Sequence, residues 1–204
     1  MKKRSPFLVL EQFISPLTCE TIVDIVDFDT PNMDEKGLPV PSTLSSETLH
    51  TLLADDLLDC SEYIEEYFDV KIRGIHPIEV EIFPEGCPAT NPVCENSAFI
   101  ANEWRRMNNK DFVAILFLND FREKVPFDPD YEVMGGKLQF PTHGFGFNPK
   151  RGTLVVFPGN ENFIRSTSTI QVGQLHQVVF RFTCDRDYVY NKSQFPGNYE
   201  VWFK

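Results

Sequence analysis

Histidine is scarce in this sequence, and several common catalytic patterns are absent. The four histidines are scattered along the chain, at His50, His76, His143 and His176. None of the five cysteines forms a CxxC pair, no GxSxG motif occurs, and the glycine pair at 135–136 precedes a strand pattern rather than a helix. These absences argue against a thiolate metal site, a serine hydrolase and a phosphate-binding loop.

Long apolar runs are also missing. No stretch of about 18 apolar residues exists, so no membrane-spanning helix is predicted. The basic start MKKR is followed by FLVLEQF, which is too short and too soon acidic for a signal peptide. An odd number of cysteines without a pairing pattern favours free thiols in a reducing cytoplasm.

Positive charge is in deficit, and the deficit is uneven. The formal net charge is −11; residues 1–136 carry 26 acidic and 11 basic residues, whereas residues 137–204 carry 4 acidic and 8 basic ones. The acidic majority argues against a nucleic-acid binder, which needs a basic face. The acidity serves solubility, or it lets the acidic face of one copy meet the basic face of another copy or of a partner.

Periodicity predicts two helices followed by strands. Ser15 and Pro16 are typical of a helix start, and Ser45 or Ser46 can cap a second helix that runs to about residue 69. From Val70 onward the apolar period changes to two, and about eight short strands with Gly/Pro turns follow. The pattern predicts a mainly-β α+β fold, a jelly roll of antiparallel strands with two helices packed on it. We expect one domain over 1–204, divided into helices (1–69), jelly-roll core (70–184) and aromatic tail (185–204).

Five segments, in this order, carry a resemblance to a known family. They are FLVLEQFISPLTCETIVDIV, IEVEIFPEG, FVAILFLND, GGKLQF and NPKRGTLVVFPG. In this order and spacing the sequence resembles the iron(II)/2-oxoglutarate-dependent dioxygenases of prolyl-hydroxylase type. The resemblance implies the double-stranded β-helix of that superfamily, with iron(II) and 2-oxoglutarate as cofactors if the chain is active.

The resemblance also locates the family's functional positions, and this sequence departs from the family at them. The family's His-x-Asp pair falls on Val93 and Glu95, its second histidine on Arg165, and its cosubstrate-binding basic residue on Leu175. Valine has no donor atom, arginine has no lone pair for a metal, and leucine cannot hold a carboxylate. The resemblance therefore implies vestigial metal positions at Val93, Glu95 and Arg165, a vestigial cosubstrate position at Leu175, and no cofactor.

An ion pair is the expected replacement for the metal. If Arg165 points inward as the histidine would, its guanidinium can pair with Glu95. The opposite interpretation turns Arg165 outward to solvent. An unusual metal site from His143, His176 and Glu95 is a further alternative.

Two surface features suggest partners. Six aromatic residues crowd the tail and are candidate interface anchors, or they dock on their own barrel: Tyr188, Tyr190, Phe195, Tyr199, Trp202 and Phe203. Arg105, Arg106 and Lys110 form a basic cluster beside Trp104 that contacts a partner or a phosphate, or is a solvated turn.

The expected function is that of a catalytically inactive dioxygenase-fold module with a structural or interaction role. Its partners are proteins or further copies of itself, with no nucleic acid and no membrane. Segments such as FGFNPKRGTLVVFPGNENFI resemble dioxygenase-fold proteins of tailed bacteriophages, which implies a virion component in the capsid, neck or tail. The alternatives are an active hydroxylase with unusual ligands and a sugar- or peptide-binding jelly roll.

Overall fold

The computed structural model describes residues 5–26, 32–124 and 128–187. The helices in chain order are α1 (Pro16–Val26), α2 (Glu47–Leu52) and α3 (Ala54–Phe68), with short 3-10 helices at Pro141–His143 and Glu161–Phe163. The strands in chain order are β1 (Leu8–Leu10), β2 (Ser42–Leu44), β3 (Gly74–Ile75), β4 (Glu79–Phe83), β5 (Ser97–Ile100), β6 (Glu103–Arg106), β7 (Phe112–Phe117), β8 (Asp120–Phe121), β9 (Glu132–Gly135), β10 (Leu138–Phe140), β11 (Phe145–Phe147), β12 (Leu154–Pro158), β13 (Ser166–Thr167), β14 (Ile170–Val172) and β15 (Leu175–Thr183).

The helix starts are those that the sequence predicts. The Ser15 hydroxyl accepts the backbone N–H of Thr18 at 3.0 Å and so caps α1, which begins at Pro16. Ser46 caps α2 by accepting the N–H of Leu49. The prediction of one continuous second helix is wrong, because Leu53, with φ −104° and ψ 13°, separates α2 from α3. No proline or glycine marks this break, so the pattern of residues does not reveal it.

The largest sheet runs in the order β1-β12-β7-β15-β4-β2, with β3 paired to β15. Its strand pairs are all antiparallel. β7 and β15 lie in its middle and are buried along their whole length. Both faces of the sheet are therefore covered at these two strands, which explains why FVAILF is continuously apolar.

Each face of the large sheet has its own core. On one face, Leu116, Val178 and Phe180 pack with the helices through Ile22, Leu57 and their neighbours. On the other face, Ile115, Phe117 and Val179 pack with Leu138, Phe140 and Ile170 from the smaller sheets. The core on the helix face therefore contains residues from both sides of position 69.

Three smaller sheets complete the β-structure, in the orders β11-β10-β13, β14-β9-β8 and β5-β6. Their pairs are antiparallel except for β8 with β9, which is parallel. The predicted class, a mainly-β α+β jelly roll with N-terminal helices, is confirmed. The structure divides the expected strands into more and shorter segments. Arg105 and Arg106 lie on β6 rather than in a turn.

All five cysteines, which lie within the described residues, are free thiols, as the sequence predicts. Among the described residues, no helix is both long enough and apolar enough to cross a bilayer.

Gly135 allows two strands to approach closely, and its replacement by alanine is expected to destabilise the protein. Its φ is +102°, and an added Cβ would lie 2.1 Å from the backbone oxygen of Thr169. We expect Gly135→Ala to lower the free energy of unfolding by about 2–3 kcal/mol. Gly144→Ala is the matched control, because its φ is +67° but nothing lies within 4 Å of an added Cβ. Urea unfolding of both variants compares the two, and equal losses would contradict the steric argument.

Candidate functional site

The two positions at which the family resemblance expects metal-binding histidines lie side by side. Val93 and Arg165 form an isolated antiparallel bridge, in which the Val93 N–H donates to the Arg165 carbonyl at 2.8 Å and the Arg165 N–H donates back at 2.9 Å. Arg165 directly precedes β13, and Val93 lies in the loop between β4 and β5. The bridge brings together two residues that are distant in sequence.

The Arg165 side chain points inward. This side chain is 7% exposed, so the interpretation that it turns to solvent is wrong. Nε donates to Glu95 Oε1 at 2.8 Å, and Nη2 lies 2.7 Å from the same oxygen. Nη2 also donates to Glu81 Oε1 at 2.9 Å, and Nη1 donates to Glu81 Oε2 at 3.3 Å. The expected Arg165–Glu95 ion pair is present, and Glu81 is a second partner.

A second arginine extends the pair into a network. Arg181 donates from Nε to Glu95 Oε2 at 3.1 Å, from Nη2 to Glu81 Oε1 at 3.4 Å, and from Nη1 to Glu79. Gln177 Nε2 donates to Glu81 Oε2 at 2.7 Å. We call these residues the ion-pair network: Glu79, Glu81, Glu95, Arg165, Gln177 and Arg181.

Strand register places the members of the network together. β4 and β15 are antiparallel, with Glu81 opposite Gln177 and Glu79 opposite Val179. Side chains two apart on a strand share a face, so Gln177 and Arg181 share their face of the sheet with the two glutamates of β4. Glu95 and Arg165 reach the same place from loops.

The electrostatics favour the charged forms of the network. Burial raises the pKa of Glu95, but the neighbouring Arg165 and Arg181 outweigh it and lower the pKa to about 2. Burial likewise opposes the charge of Glu81, and the two arginines hold its pKa below the ordinary value. Burial disfavours the charged form of Arg165, yet Glu81 and Glu95 raise its pKa. The carboxylates are therefore ionised at neutral pH because the arginines compensate them.

Lys110 brings a further positive charge near the network. Burial lowers its pKa, and Arg181 lowers it further, whereas Glu95 and Glu79 raise it. With Lys110, three cationic side chains face the three glutamates of the network. The charges balance without any bound ion.

These residues do not fit iron. Both oxygens of Glu95 already accept arginine N–H groups, Val93 offers no donor, and the guanidinium of Arg165 has no lone pair. No group of three or more His, Cys, Asp or Glu side chains in the described part of the chain could hold a metal ion. The alternative site from His143, His176 and Glu95 is thus not assembled.

Leu175 cannot bind a carboxylate, because it is part of the apolar core. It begins β15, is fully buried, and belongs to the apolar core on the jelly-roll side of the large sheet. Its side chain lies 3.0 Å from where a Cβ on Gly136 would be. The position that would hold the cosubstrate in the family is apolar packing here.

A cavity of about 380 Å³ adjoins the network. Ser45, His76, Pro77, Glu79, Lys110 and Arg181 line it. It borders the network on the side of Arg181 rather than Arg165.

Sequence reasoning found Glu95 and Arg165 and missed the rest of the network. Glu81 and Arg181 are the principal omissions. A signal was available, since β4 places Glu79 and Glu81 at alternate positions of an otherwise buried strand, and β15 places the single charged residue Arg181 in a strand that is buried throughout. The tail candidates Tyr188, Tyr190, Phe195, Tyr199, Trp202 and Phe203 lie outside the described residues.

Solved structures share this architecture. The viral collagen prolyl hydroxylase of Paramecium bursaria Chlorella virus-1, in its 2-oxoglutarate complex, matches at a TM-score of 0.62 and 12% identity, covering 89% of this chain and 97% of the hydroxylase. A Pseudomonas putida prolyl-4-hydroxylase matches at 0.60 and 16%, covering 88% and 93%. A Trichoplax adhaerens prolyl hydroxylase, solved with a peptide of hypoxia-inducible factor, matches at 0.60 and 10%, covering 88% and 84%.

The fold and the strand arrangement define a double-stranded β-helix. More particularly, the chain has the fold of the prolyl hydroxylases, which is the iron(II)/2-oxoglutarate dioxygenase fold. This is the fold that the sequence resemblance predicts. At these identities the likeness concerns the fold. No protein-family model matches the chain. The comparison with curated proteins finds no match either.

Proposed function

We propose that this protein is a catalytically inactive dioxygenase-fold module that acts through contacts with other proteins. The observation that carries the proposal is the position of Arg165, whose guanidinium lies against Glu95 where the family resemblance expects a metal ligand. Arginine repels a divalent cation, and here it also uses a carboxylate that the cation would need. The charge of nearby Lys110, which offsets the one excess glutamate of the network, supports the same conclusion.

The proposed working environment follows from composition. Free thiols suit a reducing cytoplasm, and burial raises the pKa of the Cys19 thiol to about 12, so that this thiol stays protonated. The acidic net charge of −11 disfavours nucleic acid as a partner. Protein partners or further copies of this chain are therefore the proposed contacts.

The proposal includes a more specific role for this protein, as a component of a virus particle. It rests on the resemblance of several segments to dioxygenase-fold proteins of tailed bacteriophages, and the capsid, neck and tail are the candidate positions. Detection of the chain by mass spectrometry in purified particles, at a fixed ratio to the major capsid protein, would support it. Its absence from such particles would contradict this part alone.

The decisive experiment is an anaerobic titration with iron(II) and 2-oxoglutarate. We expect no stoichiometric iron in the purified protein and no visible charge-transfer band. The Chlorella virus hydroxylase, solved as its 2-oxoglutarate complex, serves as the positive control for cosubstrate binding. Bound iron with a band that disappears in Glu95→Gln would overturn the proposal in favour of an active hydroxylase. A ligand-dependent rise in Tm without metal would instead favour a binding jelly roll.

A further inference from the structure

The β5–β6 hairpin holds two exposed aromatic side chains on one face. Phe99 and Trp104 are cross-strand partners, and their ring centroids are 5.5 Å apart. Phe99 is 60% exposed and Trp104 is 41% exposed. Ser97 and Arg106 form a second cross-strand pair, two positions along each strand, so they lie on the same face as the two rings. This face of the hairpin is therefore aromatic with a polar border.

The aromatic face borders a groove of about 630 Å³. Ser97, Trp104 and Arg106 line this groove from the hairpin. The large sheet contributes Phe112, at the start of β7, and Pro158, at the end of β12, which are register partners. The volume lies within the range of about 300–1,000 Å³ that is usual for small-molecule sites. The groove thus has the size of a binding site and an aromatic wall.

Backbone hydrogen bonds fix the hairpin to the ends of the large sheet. The Asn96 N–H donates to the Gly159 carbonyl at 2.9 Å, and the Gly159 N–H donates to the Asp111 carbonyl at 2.8 Å. The Met107 N–H donates to the Asn96 carbonyl at 2.7 Å. Asn96 and Met107 flank the hairpin, whereas Gly159 follows β12 and Asp111 precedes β7. The shape of the groove is therefore held by the fold itself, as a preformed site requires.

Asn96 brings unused hydrogen-bond donors to the groove. It lines the groove and is only 6% exposed. Its Oδ1 accepts the Ser97 hydroxyl at 2.7 Å, whereas its Nδ2 donates to no acceptor among the described residues. A buried amide whose N–H groups lack an acceptor costs free energy unless a water or a ligand accepts them. The groove therefore favours a ligand that brings a hydrogen-bond acceptor to Asn96.

The charges of the groove select against an ionic ligand. Arg106 pairs with Asp111 at 2.7 Å, so these two charges cancel. Glu161 also lines the groove, and in the described part of the chain it has no hydrogen-bond or ion-pair partner. Its carboxylate repels an anion. A cation has no acceptor to offer, so it would leave the Asn96 donors unpaired.

The chemistry of the groove therefore specifies a neutral ligand with three properties. It must accept hydrogen bonds from an amide, donate them to a carboxylate, and cover aromatic rings with an apolar surface. Hydroxyl groups both donate and accept. A sugar ring carries hydroxyls around its edge and C–H groups on its faces, so it meets all three requirements.

We propose that the groove beside the β5–β6 hairpin binds a neutral sugar, as one unit of a short oligosaccharide. The sugar ring packs its C–H face on Trp104, and its hydroxyls accept from Asn96 and donate to Glu161. The stack covers aromatic surface that is now exposed, which stabilises the complex. The inference goes beyond the proposed function, because it gives the inactive module a ligand outside the ion-pair network.

Titration of the full chain with cellobiose, maltose, lactose and N,N′-diacetylchitobiose tests the inference. The chain has two tryptophans, so Trp202→Phe leaves Trp104 as the fluorescent reporter. We expect at least one of these disaccharides to change its fluorescence saturably, with a Kd on the order of 1 mM. Saturation-transfer NMR, which observes the sugar, repeats the measurement with the natural chain and with variants that lack the reporter.

Three variants locate the binding. Trp104→Ala removes the stacking surface, and Asn96→Asp removes the amide donors with little change of shape; each should weaken sugar binding by about tenfold or more. Ile100→Ala is the matched control, because Ile100 is 41% exposed on the opposite face of the same hairpin, and it should leave the Kd unchanged. Circular dichroism checks the fold of each variant. Trp104 is exposed, so its variant keeps the test valid if Asn96→Asp does not fold.

Three results would overturn the inference. They are the absence of saturable binding by any of the four sugars, equal binding by Trp104→Ala, and displacement of the sugar by a proline-rich peptide that binds more tightly. The last result would assign the aromatic groove to a protein partner. Because the sugar titration contains neither iron nor 2-oxoglutarate, sugar binding and catalytic silence can fail independently.

Discussion

Replacement of Arg165 by methionine is expected to lower the free energy of unfolding by about 3–5 kcal/mol. The Arg165 guanidinium bonds to Glu95 and Glu81, whose side chains are 7% and 14% exposed. Without it, two carboxylates stay buried with Arg181 as their remaining cationic contact in the network. A buried charge that has lost its partner costs more than the pair itself contributes. Chemical unfolding monitored by circular dichroism measures the loss.

Three further variants make this result specific. Arg73→Met changes an exposed arginine just before β3 and should alter stability by no more than about 0.5 kcal/mol. Arg165→His should also be destabilising, because an imidazole cannot replace the bonds to two carboxylates. Arg165→Met combined with Glu95→Met should cost less than the sum of the single changes, since it removes both members of one pair. A loss below about 1 kcal/mol for Arg165→Met would show that the network does not stabilise the fold.

Acid is expected to weaken the protein through Glu95. The folded-state pKa of Glu95 is about 2, against an ordinary value of 4.5, so the unfolded chain binds the proton more readily. A lowered carboxyl pKa contributes stability that is fully present above about pH 4.5 and is lost as the pH falls towards 2. The contribution is on the order of 3 kcal/mol. Urea unfolding between pH 7 and pH 2.5 measures it.

Comparison with Glu95→Gln separates this contribution from others. Burial lowers the pKa of His76 from 6.5 to about 4, so His76 causes its own loss of stability between those pH values. Both proteins share that loss. The stability difference between the natural chain and Glu95→Gln should therefore be largest above pH 4.5 and should narrow below it. A difference that is constant with pH would mean that Glu95 does not titrate as the ion pairs require.

Short sequence patterns were sufficient to locate the helices and strands that the structure confirms. Ser15 with Pro16 marks the start of α1, and the apolar run FVAILF marks the central strand β7, because capping and burial on both faces leave direct traces in composition. The β5–β6 hairpin was missed. Its strands are short and exposed, so apolar alternation does not reveal them.

The sequence by itself determined the jelly-roll class and the unsuitability of Val93 and Arg165 as metal ligands. A valine or arginine side chain has no lone pair to offer a metal, so these two residues are unsuitable ligands wherever their side chains lie. The tertiary structure decided that Arg165 is buried and that Glu79, Glu81 and Arg181 join it. The arginine and the glutamate of each ion pair in the network are 70 to 102 residues apart along the chain. Which of them meet depends on strand register and loop closure, and no local pattern encodes a distance across the fold.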